Sequence, residues 1–130
     1  MLRLIAALEI KVHMKLWLDD TRPAPDGWHW ARTADEAIEA LRTGHVVEAS
    51  LDHDLGHCDA CEGCTGYLRS PCECRCHLSG TFLVNWMATE NVWPATKPRV
   101  HSANPVGAER MRLTIERYWA PAGEDKRWTR

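Results

Sequence analysis

Two periods of apolar residues alternate along this chain, short continuous runs and longer segments with an apolar residue every third or fourth position, and together they predict its elements. "KLWLDD" (Lys15 to Asp20) is an apolar run ending on two acids. "TRPAPDG" then breaks the chain with two prolines and a glycine, so a buried strand followed by a loop is expected. "WHWART" alternates large apolar and polar residues and reads as a second, short strand. Thr33 opens a capping box with Glu36 three residues on. Ala34, Ala37, Ile38 and Leu41 share one helical face, and Gly44 stands where that helix should stop. "VVEASLDHDL" (Val46 to Leu55) returns as a strand with acids at its C-terminal end. Phe82, Leu83, Trp86 and Met87 mark a second helix, and "PRVHSAN" (Pro98 to Asn104) another strand. Asn104 suits a helix N-cap and Pro105 the first helical position, ahead of a buried stripe of Ala108, Met111, Ile115 and Trp119.

Strands alternating with helices argue for an α/β domain, a small parallel sheet with helices packed on its faces. Ligands bind such sheets beyond the C-terminal strand ends. Asp19 and Asp20, then Asp52 to Asp54, then His101 to Asn104 all fall at that end of their strands.

Composition narrows the picture. The 130 residues suffice for one domain, and 45% hydrophobic with 26% charged describes a soluble globular chain. A formal net charge of -2 gives no general attraction to nucleic acid or membrane, so no broad nucleic-acid-binding surface is expected. No apolar run approaches the ~20 residues a bilayer span needs. The opening "MLRLIAALEIKVHM" has a short apolar part, early charges and no small-residue cleavage site, so it is read as an extension (residues 1–13), with Met14 an equally good start, and a cytoplasmic location is expected. The domain is placed at 14–119 and a frayed tail at 120–130.

Carboxylates gathered in one crevice repel each other and need a cation or raised pKa values. A hard divalent ion, magnesium or manganese, suits oxygen ligands from Asp19, Asp20 and Asp52, with Asp54 in support. "HSANPVG" supplies the other half: the Ser102 hydroxyl, Asn104, the amides of a helix N-terminus and Gly107 for close approach form a candidate phosphate site, and Arg22 could clamp the phosphate bidentately. His53 and His101 are the candidate proton carriers, because imidazole titrates near neutral pH.

All six cysteines lie in "HCDACEGCTGYLRSPCECRCH", with His57 and His77 at its edges. Cys58, Cys61 and Cys64 have CxxC spacing, and Cys72, Cys74 and Cys76 have CxC spacing. Without a secretion signal, disulfides are the weaker explanation, and eight thiolate and imidazole groups fit one or two structural zinc ions in an insert over 57–78. Soft ligands would then hold zinc while hard oxygen ligands serve the crevice.

"KLWLDDTRP", "SLDHDLG" and "RVHSANPVG", in this order, resemble the cyclic-phosphate-processing receiver-like family, a bacterial and phage offshoot of the response-regulator receiver fold. The resemblance covers about Lys15 to Arg117. It implies a flavodoxin-like three-layer sandwich, with Asp19 and Asp20 as the receiver's metal-binding acidic pair. Asp52 takes the place of its phospho-accepting aspartate, and Ser102 that of its hydroxyl partner. No strand after "HSAN" offers the receiver lysine, since Lys126 lies in the tail, and histidines have entered at His53 and His101. The expected function is therefore a metal-dependent hydrolase or phosphodiesterase acting on a small cyclic-phosphate ligand or an RNA 2′,3′-cyclic end, with His53, His101 and Asp52 catalytic. The rivals are a non-catalytic module that sequesters a cyclic nucleotide, a phosphoswitch at Asp52, and a zinc-knuckle interaction protein.

Overall fold

Leu16 and Leu18 are fully buried while Lys15 is exposed, the period-two pattern of a strand with one face on a core. That strand is β1 (Met14–Leu18), and the computed structural model describes it within residues 13–56 and 78–121. β2 (His29–Ala31) and β3 (Val46–Leu51) pair with it on either side, and β4 (Arg99–Val100) pairs with β3. All pairings are parallel, in the order β2-β1-β3-β4.

Among the described residues, three helices link or follow these strands. α1 (Ala34–Arg42) starts at Thr33, whose side chain accepts from the Glu36 amide, as the capping box predicts. α2 (Gly80–Glu90) is capped by Ser79 and ends at Asn91, which takes a left-handed conformation with φ 54° and donates its amide to Met87 O. α3 (Pro105–Tyr118) is capped by Asn104, whose side chain accepts from the Gly107 amide. No described helix is long and apolar enough to cross a membrane.

The connections β2–α1–β3 and β3–α2–β4 cross the sheet in the same direction. The right-handed crossover of parallel units therefore puts both helices on one face. α1 packs on α2 and α2 on α3, which completes the row. Leu16, Leu18, Ala49 and Leu51 meet Ile38, Leu41, Leu83, Met87, Met111 and Ile115 in the core beneath them. The β1–β2 connection runs the opposite way and lies over the other face, where the Trp17 indole donates to Arg22 O at 2.9 Å. Pro23 and Pro25 keep this short connection from being helical. Among the described residues the domain thus has two layers plus a loop, where the resemblance implied three layers.

Two strands are shorter than their sequence patterns. β3 stops at Leu51 because the chain turns through Asp52 and His53 to Gly56. β4 keeps two residues, since Pro98 has no amide to offer the ladder and the chain turns at Ala103. Trp119 caps α3 instead of lying on its helical stripe, yet still packs against the core. The extension before His13, the insert over 57–77 with its cysteines, His57 and His77, and the tail beyond Pro121 lie outside the described residues.

Candidate functional site

Three further backbone bonds extend the ladder one step past the strands. The Asp19 amide donates to Ala31 O at 3.1 Å, Asp52 to Leu18 O at 2.9 Å and His101 to Leu51 O at 2.9 Å. Asp19, Asp52 and His101 are thereby set side by side at the C-terminal ends of β1, β3 and β4. This is the edge of the sheet at the β1/β3 switch point, where doubly wound folds bind ligands. Each lies two residues beyond the in-register Trp17, Ser50 and Arg99, so all three side chains emerge on one face, the one opposite the described helices.

Asp19 is fully buried and engaged on both oxygens. Oδ1 accepts from the amides of Thr21 at 3.0 Å and Arg22 at 2.8 Å; Oδ2 meets Arg22 Nε at 2.9 Å and His101 Nε2 at 3.0 Å. Burial alone would raise its pKa, but the Arg22 and Thr21 amides, His101 and the guanidinium charge outweigh it and hold the carboxyl below its ordinary value. Asp52, also buried, accepts from the His53 amide at 2.9 Å and lies 3.6 Å from Arg22 Nη2. Here burial, joined by the charge of Asp19, wins and raises the pKa. Asp20 is anchored differently. Its carbonyl accepts two bonds from the Arg32 guanidinium, and its Oδ2 accepts from the Gly56 amide at 2.8 Å. A Cβ at position 56 would stand 2.8 Å from that oxygen, so glycine is what lets the loop close on the carboxylate.

Asp19, Asp20 and Asp52 each offer an oxygen within 4.8 Å of the others, a group that could hold a metal ion. The fit is chemical as well as geometric: the donors are hard oxygens, and Asp52 carries the repulsion that a cation would relieve. Asp54, expected in support, turns elsewhere. Its Oδ1 lies 2.7 Å from His53 Nδ1 and accepts from Asn104 Nδ2 at 3.3 Å. The His53 hydrogen bond lowers its pKa, against burial and with help from Asn104.

The phosphate half of the expectation is rearranged. Arg22 was expected to reach across and clamp a phosphate; its guanidinium lies on Asp19 and Asp52. Asn104 spends its oxygen on the Gly107 amide at 3.0 Å, and the Ala108 amide bonds Asn104 O. With no N–H on Pro105, this leaves at most the Val106 amide of that turn for an anion. The close approach at Gly107 is to the His53 ring, from which an added Cβ would stand 2.5 Å. Ser102 Oγ accepts from the Asn104 amide at 3.0 Å and keeps its hydroxyl proton to donate. The two halves nonetheless meet, through the Asp19–His101 and Asp54–Asn104 contacts.

His101 has a partner on each nitrogen, Asp19 at Nε2 and the Ser50 hydroxyl at Nδ1 at 2.7 Å, and its ring stacks on Trp17 with centroids 4.0 Å apart and 9° between planes. Burial pushes its pKa down, more than Asp19 and Asp52 raise it. Ser50, Trp17 and Gly56 were not singled out from the sequence. The available signal was a lone hydroxyl in an apolar strand two residues before Asp52, and so on its face.

Gly107→Ala is expected to push His53 off Asp54 and to cost about 1–3 kcal/mol, the usual penalty of overpacking. A denaturation curve matching that of the wild type would show that the ring has room to yield.

A family model described as a cyclic-phosphate processing receiver domain matches residues 14–117. No curated protein and no solved structure gives a match.

Proposed function

The chain belongs to the cyclic-phosphate processing receiver domain family, and from that premise we propose that it is a divalent-metal-dependent hydrolase that opens a cyclic phosphodiester to a phosphomonoester. The observation that carries this reading is the convergence of Asp19, Asp20 and Asp52 within 4.8 Å, with burial and Asp19 opposing the ionisation of Asp52. A magnesium or manganese ion bound there would polarise the phosphoryl oxygens and acidify a water.

The chain's own groups supply the rest. Arg22 holds Asp19 and Asp52, the same acids an ion would take, so with an ion bound there its guanidinium would be free for bidentate contact with the phosphate. Ser102 donates its hydroxyl to a phosphate oxygen. His53 is bound through Nδ1 to Asp54, which Asn104 steadies, so Nε2 is the nitrogen left for proton transfer. Water adds at phosphorus as its proton passes to His53, and the ring P–O bond breaks. The departing ring oxygen takes a proton from solvent water, and His53 returns its own to solvent, so the net change is addition of one water. The proton-transfer role expected of both histidines falls here to His53, because both nitrogens of His101 have partners in the chain. The thiolates of Cys58 to Cys76, with His57 and His77, are proposed as a zinc clip on ligand chemistry alone.

The test is incubation of the full chain and Mn2+ with a panel of small cyclic phosphates and RNA 2′,3′-cyclic ends, followed by phosphorus NMR. A phosphomonoester should appear, at a rate that His53→Gln lowers by about 10²–10⁴-fold. Intact ligand recovered in complex with the protein would favour the sequestering module, and labelling by acetyl phosphate that depends on Asp52 would favour the phosphoswitch. Neither turnover nor binding across the panel would sink the reading.

A further inference from the structure

Ser50 is a polar residue in the buried half of β3, and its side chain is enclosed. Its Oγ lies 2.7 Å from His101 Nδ1, while His101 Nε2 lies 3.0 Å from Asp19 Oδ2. An ionised carboxylate only accepts, so Nε2 must carry a proton in that contact. In a neutral imidazole the bare nitrogen is then Nδ1, which needs a donor, and the Ser50 hydroxyl is in place to be one. Trp17 lies flat along one side of the ring, so its plane as well as its protonation is defined.

We propose that Ser50 is a positioning residue for the ion site: its hydroxyl donates to the bare Nδ1 and so holds the His101 ring in place, and His101 fixes the Asp19 carboxylate in the direction an ion would require. This rests on the reading of Asp19, Asp20 and Asp52 as ligands to a divalent ion. Groups one layer behind a metal ligand characteristically set its orientation, and losing one costs about 10–100-fold in metal affinity. A serine that merely filled space would be replaced by alanine without consequence, because alanine leaves almost the same volume.

The experiment pairs imidazole NMR of the full chain without metal with Mn2+ titration of the wild type and Ser50→Ala. The wild type should show a neutral His101 ring protonated at Nε2. Ser50→Ala should leave Nδ1 without its donor, read as a shifted Nδ1 resonance, and bind Mn2+ about 10-fold more weakly, the lower end of that range for a group acting through His101, with unchanged circular dichroism. A wild-type ring protonated at Nδ1 alone, or at both nitrogens at neutral pH, overturns the proposal without recourse to a variant. So does Ser50→Ala with wild-type Mn2+ affinity. A wild-type chain that binds no Mn2+ at millimolar concentration removes the ion site and this inference with it. Ser50-dependent Mn2+ binding with every cyclic phosphate left intact removes only the hydrolase reading.

Discussion

Asp19→Ala is expected to lose about 3 kcal/mol of folding stability, the lower end of the range for removing one partner from a buried charged network. The loss comes from donors stranded at once: the Thr21 and Arg22 amides, His101 Nε2 and Arg22 Nε all converge on this one carboxylate. The Arg22 contribution is discounted because its side chain is 52% exposed and water can screen it. Asp20→Ala is the control. It too removes a proposed ion ligand, but strands only the Gly56 amide near the surface, so its stability cost should stay near 1 kcal/mol. Urea denaturation separates the two, and an Asp19→Ala curve no further displaced than that of Asp20→Ala would contradict the network described here.

Asp52→Asn is expected to act in the opposite sense, stabilising the metal-free chain while abolishing its response to a divalent ion. The amide can still accept from the His53 backbone, and the burial cost and the Asp19 repulsion it removes outweigh the 3.6 Å charge contact with Arg22 that it gives up. The sign with pH follows from the direction of the shift. The folded pKa of Asp52 is raised, so its ionisation opposes folding above that pKa, and the penalty fades as pH falls through it toward the ordinary value of 3.8. The folded pKa of Asp19 is lowered, so the stability it contributes is present above 3.8 and is lost at lower pH, through its folded pKa. The lowered pKa of His101 costs both proteins stability as pH falls below 6.5, so the Asp52 effect is read as a difference: the wild type should gain on Asp52→Asn as pH falls toward 3.8. At neutral pH an ion at 100 times its Kd should add about 2.7 kcal/mol to the wild type and nothing to Asp52→Asn. Thermal melts with and without Mn2+ read both effects. Equal Mn2+ stabilisation of the two proteins would show that Asp52 is not a ligand.

Much of this arrangement was legible because it is local or periodic. The alternation around Leu16 and Leu18, the Thr33 capping box and the Asn104–Pro105 helix start each depend on a few neighbouring residues, and each directs its own segment. The parallel sheet follows from their alternation, and the gathering of acids at one edge follows from the sheet. What was not legible depends on pairing across distance. Nothing near Gly56 announces that its amide will close on Asp20, 36 residues earlier. Gly107 was rightly marked as a place of close approach, but its neighbour is the His53 ring and not a ligand. Asn104 suited two roles in sequence: its oxygen caps the helix by accepting from the Gly107 amide, and its Nδ2, the donor a phosphate would need, is turned to Asp54. Helices on both faces were expected from the alternation of elements and from the resemblance, whereas among the described residues the second face carries the proline-bearing β1–β2 loop.

The most direct measurement is a crystal of the full chain soaked in Mn2+ and examined by anomalous diffraction. A strong Mn2+-dependent peak is predicted between Asp19, Asp20 and Asp52, about 2.0–2.2 Å from an oxygen of each, with the Arg22 guanidinium displaced from Asp19. A map without a peak there at saturating Mn2+, and with Arg22 still seated on both carboxylates, would contradict the account.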